Sequence, residues 1–195
     1  MVSPENKTQP TVLIVPGLRD HVPEHWQTFV QQELERDGVP VACVPRRADE
    51  KLSCRRWVEA LEQSLVAIDG PVVLCAHSAG VMIIAHWART AMRPIHGALL
   101  ATPADLEIPL PAGYPTFNAL RDNGWLPIPR ERLPFRSLVA ASDDDPLARH
   151  DRVVGFAHAW GAQVIELGRV GHLNPVAGYG PWPRARELLR ELGAG

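Results

Sequence analysis

"PVVLCAHSAGVMIIAHWA", residues 71–88, decides how this chain reads. The run 71–76 is apolar and rich in small and β-branched residues, the mark of a buried strand. It drives into Ser78 and at once into an apolar helical pattern over 79–92. A serine on a tight strand-to-helix turn is exposed, with the first helical N–H groups beside it, and this is the outline of a nucleophile elbow. The usual pattern is G-x-S-x-G, whereas here it is Ala76-His77-Ser78-Ala79-Gly80. The positions two before and two after the serine approach neighbouring backbone and must be small. Ala76 adds a methyl at one of them, and Gly80 keeps the other bare. On its own the stretch leaves two readings, a nucleophile or a serine that caps a helix.

Outward from this stretch, strand and helix signals alternate. Strands are expected at 11–17, 39–45, 71–76, 96–102, 136–142 and 162–168. Helices are expected at 23–38 with Pro23 in its first turn, at 53–70 with Ser53 as cap, at 79–92, at 146–160 and at 183–192. Six buried strands mostly separated by helices predict a parallel sheet covered on both faces. The irregular, proline-rich segment 103–135 is either a surface excursion with a helical turn or two, or a short flap over a substrate site.

Bulk properties exclude several classes. The 195 residues fit one domain, 1–195, with 1–10 a flexible N-terminus. Apolar residues make up 46% and charged residues 22%, a globular, soluble balance. A formal net charge of −2 with scattered basic residues gives no nucleic-acid face. The first ten residues lack the apolar core of a secretory signal, and no apolar run reaches the roughly 20 residues of a membrane helix. Cys43, Cys54 and Cys75 are an odd count without C-x-x-C spacing, which reads as reduced thiols in a cytoplasmic protein and argues against structural zinc.

A serine needs a base and an acid that orients the base. On a parallel sheet with such an elbow these follow later in the chain, in the order Ser…Asp/Glu…His. After the fifth strand comes "SDDDPL", with Asp143, Asp144 and Asp145 as candidates. After the sixth comes "RVGHLNP", with His172. Asp145 before Pro146 is also a good helix N-cap. His86, His96, His150 and His158 fall within helices or at strand starts and read as structural. "HVPEH", residues 21–25, matches H-x-x-E-H, but Pro23 keeps His21 off the helical register of His25, so a zinc site is not expected. The loop after the first strand, "VPGLRD", offers Gly17 for close approach, with the Leu18 N–H as an oxyanion donor beside that of Ala79.

These residues resemble the small, lidless α/β-hydrolases that include retinoblastoma-binding protein 9 and the YdeN-like bacterial proteins. The resemblance covers nearly the whole chain. It rests on "VPGLRDHVPEHWQ", "AHSAG", "ASDDDPLA" and, most specifically, "WGAQVIELGRVGHLNPVAGYGPWP". It implies an α/β-hydrolase fold with a six-stranded, mainly parallel sheet, helices on both faces and no large lid. It also implies a serine hydrolase acting on carboxylic esters, with some peptidase activity attributed to the family. By position the nucleophile falls on Ser78, the base on His172 and the acid on Asp145, with Asp144 as the fallback. Pocket-protein binding needs L-x-C-x-E, and "LSCRR" (52–56) ends in Arg56, so that property is not implied.

The resulting expectation is a hydrolase of small or medium acyl esters that works through an acyl-enzyme, with no cofactor and no metal. Its partner is a small-molecule ester or amide, not nucleic acid or membrane. A peptidase or amidase with the same residues, or a non-catalytic binding module on this scaffold, are the alternatives. Trp26, Tyr114 and Trp182 are candidate substrate contacts, with Trp125 and Tyr179 further aromatics near the expected pocket.

Overall fold

The computed structural model describes residues 9–18, 22–45 and 52–195. Its six strands are β1 (Thr11–Val15), β2 (Val41–Cys43), β3 (Val72–His77), β4 (Gly97–Ala101), β5 (Ser137–Ala141) and β6 (Gln163–Glu166). They form one sheet in the order β2-β1-β3-β4-β5-β6. Every pairing is parallel, so the sheet is wholly rather than mainly parallel. The α/β-hydrolase expectation holds.

Alternation along each strand divides the apolar side chains between two cores. Leu13, Val15, Leu74, Ala76, Leu100 and Val139 face one side. There α2 (Cys54–Val66), α3 (Ala79–Ala88) and α5 (His150–Trp160) pack on them. Val12, Ile14, Val73, Cys75, Leu99 and Leu138 face the other. That face is covered by α1 (Trp26–Arg36) and α6 (Pro183–Glu191). Helices on both faces explain why the strands read as continuous apolar runs.

Two helix starts differ from expectation. The first helix begins at Trp26 rather than Pro23, because the His25 ring caps it, Nδ1 accepting from the Gln27 N–H at 3.2 Å. The helix expected from 146 begins at His150, and Asp145 is not its cap. Asp145 Oδ1 accepts from the Leu147 N–H at 2.8 Å in a separate turn, and the Leu147 carbonyl accepts from the Asp105 N–H at 3.0 Å. These bonds hold 145–149 out of helical geometry.

The segment 103–135 divides in two. Ala104 to Pro115 supplies several cavity-lining residues, described below, and a short helix α4 (Phe117–Asp122) follows. Beyond it Trp125, Ile128 and Leu133 are core residues. An ion-pair network fastens the segment to α5. Arg152 forks onto the fully buried Asp105 at 2.7 and 3.2 Å and reaches Glu107 at 2.7 Å. Arg130 meets Glu107 at 2.7 Å, and both guanidinium groups lie over the Phe156 ring. No helix among the described residues is long and apolar enough to cross a membrane.

Candidate active site

In this strand order the connections reverse direction between β1 and β3. A crevice opens outside the carboxyl ends of those two strands, where open α/β sheets bind ligands. Ser78 follows β3 and Gly17 follows β1, so both sit at that point.

Ser78 has φ 58° and ψ −127°, a strained backbone for a residue with a side chain. Two glycines permit the turn. A Cβ on Gly80 would lie 2.3 Å from the Val15 carbonyl oxygen and 2.7 Å from that of Pro16. A Cβ on Gly17 would come within 3.2 Å of Ser78 Cβ. Ala76 is tolerated because its methyl points into the core beside Val15 and Leu74. Although Ser78 occupies the cap position of α3, its side chain caps nothing. The Oγ instead meets His172 Nε2 at 2.8 Å.

The other ring nitrogen of His172, Nδ1, lies 2.8 and 3.0 Å from the two carboxylate oxygens of Asp145. A carboxylate only accepts, so Nδ1 carries the proton and donates, and Nε2 is left to accept from the Ser78 hydroxyl. Both His172 and Asp145 are nearly shut off from solvent, their side chains 5% and 1% exposed. The neighbouring Asp144 takes a different place. Its Oδ1 accepts from the Gly171 N–H at 2.8 Å and from the Ser142 hydroxyl at 3.2 Å. The Gly171 amide bond is the main reason its carboxyl sits below the usual carboxylate range. A hydroxyl, an imidazole and a carboxylate in one line can generate a nucleophile and return its proton.

A cavity of about 530 Å³ opens on Ser78 and His172. Leu18 and Ala79 both line it, bringing the two expected oxyanion donors to its wall. As the first residue of α3, Ala79 has an N–H with no carbonyl one turn back to bond. Val22, Leu106, Leu110, Tyr114, Leu147 and Val176 give it an apolar lining, and Asn174 and Gln27 add amides. Tyr114 therefore lies where a substrate contact was expected, but Trp26 and Trp182 do not. They pack edge-to-face in the core at 4.9 Å between ring centres, and neither lines the cavity. The indole is too large an apolar surface to leave under α1 and α6 without burial. Trp125 and Tyr179 are likewise outside the lining; the Trp125 Nε1–H donates to the Leu52 carbonyl at 2.6 Å.

His25, Gln27 and His77 form the polar floor, a role no motif in the sequence marks. The signal available was strand alternation, which carries Val73 and Cys75 on to His77 toward α1. Gln27 donates to the carbonyls of Val15 and Cys75, tying α1 beneath β1 and β3. His21, of the H-x-x-E-H match, lies outside the described residues. The thiols of Cys43 and Cys54 are pushed up to about 11 and about 12 by burial, so neither supplies a thiolate. Asp143, His150 and Glu166 form a metal-compatible cluster within 4.8 Å, largely exposed and away from the cavity lining, with His150 already donating to Glu166 at 2.7 Å.

The family model for serine hydrolases matches residues 12–191. The chain belongs to the serine hydrolase family. No curated protein matches its sequence. Among solved structures, a protein described as a YdeN-like hydrolase from Pectobacterium atrosepticum is 28% identical. That match covers 95% of this chain and 91% of the other, with a TM-score of 0.77. The ydeN gene product of B. subtilis is 19% identical over 94% of this chain and 98% of its own, also at 0.77. Est1E from Butyrivibrio proteoclasticus is 15% identical, covers 96% and 91%, and has a TM-score of 0.71. Est1E has also been solved with ferulic acid bound. The resemblance to YdeN-like hydrolases read from the sequence motifs is thus borne out.

Proposed function

We propose that this serine hydrolase cleaves carboxylic esters, with Ser78 as nucleophile, His172 as general base and acid, and Asp145 as the group that orients His172. The line Asp145–His172–Ser78, with 2.8 Å at each joint, carries this reading. Ser78 Oγ attacks the ester carbonyl carbon while its proton passes to His172 Nε2. Charge collects on the carbonyl oxygen, where the N–H groups of Leu18 and Ala79 receive it; each such donor is worth about 2.7–4 kcal/mol. As the C–O bond breaks, His172 gives its proton to the departing alcohol and an acyl-serine remains. Water, deprotonated by His172, then attacks the acyl carbon and frees the acid and Ser78.

The apolar lining of the cavity suits a small or medium acyl group, and ferulic acid bound to Est1E is consistent with ester chemistry on this fold. Three free cysteines fit a reducing compartment, the cytoplasm. A fluorophosphonate probe is expected to label the protein, and Ser78→Ala to abolish both labelling and turnover of p-nitrophenyl esters. Equal labelling of the Ser78→Ala variant would remove Ser78 from this role.

A further inference from the structure

His172 sits on an unusual piece of backbone. Gly171 before it and Leu173 after it both have left-handed backbone, φ 56° and 46°. Two reversals flanking His172 throw the imidazole out toward Ser78, but a loop so shaped needs fixing on both sides. On the near side Asp144 holds the Gly171 N–H. On the far side the His172 carbonyl accepts a 2.9 Å bond from His77 Nε2–H and a longer one, 3.5 Å, from the Thr102 hydroxyl.

His77 suits that task. It is buried, one residue before the nucleophile, and its ring is boxed by His25 at 4.7 Å, His172 at 4.8 Å and Trp26 at 6.0 Å. A carbonyl oxygen only accepts, so the proton of His77 is fixed on Nε2. Burial, then the neighbouring His172 and His25, keep the ring neutral, so it adds no charge beside the imidazolium that forms on His172 during turnover.

We propose that His77 is a positioning residue for His172. Its Nε2–H holds the carbonyl of the base's own peptide, so that the imidazole stays in line between Ser78 and Asp145. The proposal rests on His172 being the base.

The test compares His77→Gln with His77→Met. The two side chains have the same length, and only glutamine can donate to the carbonyl. His77→Met is expected to lower kcat on a p-nitrophenyl ester by about 10- to 100-fold, the cost of a misplacement on the order of 1 Å. KM should move little, since binding is not what is lost. His77→Gln should recover most of kcat, while melting temperatures separate this from general loosening of the fold. His77→Asn stops short of the carbonyl and should fall with His77→Met, which keeps the test valid if the methionine variant fails to fold. Full kcat in a folded methionine or asparagine variant would overturn the proposal, as would a glutamine variant as slow as methionine. His172→Ala run in parallel separates the two readings: if it still turns over ester, the base assignment falls as well, and if it is dead, the His77 result stands by itself.

Discussion

At the scale of single residues, two adjacent aspartates show how much chemistry a displacement of one residue decides. The run after the fifth strand offered Asp143, Asp144 and Asp145, and the family resemblance put the acid on Asp145 with Asp144 as the fallback. In the fold Asp145 faces the imidazole and Asp144 faces the amide that precedes it. Asp145→Asn should therefore disturb the tautomer of His172 and lower kcat by about 10³- to 10⁴-fold, measured by steady-state ester hydrolysis. Asp144→Ala, which frees only the loop, should cost far less, and the reverse ranking would exchange their roles. Ser78, Gly80 and His172 were legible because a strained turn and a close approach demand particular residue types. His77 was not, since a histidine at the end of a strand acquires meaning only from a carbonyl 95 positions away.

At the scale of elements, the strands read clearly because both faces of the sheet are covered, and six apolar runs leave little choice. Helix starts were less legible. Pro23 and Asp145-Pro146 both carry good local start signals, yet a histidine cap moved one start, and a turn tied to Asp105 and His172 moved the other. Local propensity is a weak prior that tertiary contacts override. The segment 103–135 was ambiguous for a similar reason, as its anchor is ionic and long-range. Arg152→Met should expose the cost of that anchor. With Asp105 left buried and short of its partner, stability to urea should drop by about 3 kcal/mol, the low end for a broken buried pair because Arg152 itself is part-exposed. Ala104 and Leu106, on either side of Asp105, line the cavity, so ester turnover should weaken as well. Unchanged urea stability would mean that the network contributes nothing net.

At the scale of the whole molecule, stability should depend on pH through histidines held neutral by burial. His77 and His86 both lie below the usual 6.5, chiefly because burial disfavours their charged forms. As pH falls past 6.5 the unfolded chain takes up protons that the fold refuses, so stability is lost toward acid. His150 acts the other way. Its bond to Glu166 raises it, so its contribution is present in acid and fades as pH rises through that raised value. His150 is part-exposed, whereas His77 is buried, and the acid-side loss should dominate. Melting temperature should decline between about pH 7 and pH 5. His86→Gln keeps a donor to the Trp125 carbonyl and should flatten part of that decline. An unaltered slope would assign the proton uptake elsewhere. Sheet order was the least legible property, since placing β1 between β2 and β3 depends on pairings that no local pattern encodes.

The hydroxyl of Ser78 and the imidazole beside it are 94 residues apart in the chain, and the second arrives only with the loop after β6. Synthesis proceeds from the N-terminus, so the elbow is made long before its partner. On the mechanism proposed above, a chain with only β1 to β4 in place would hold Ser78 without its base and would leave an ester intact. Turnover then reports completion: during refolding, ester hydrolysis should return later than the sheet signal, by the time the last strand takes to dock.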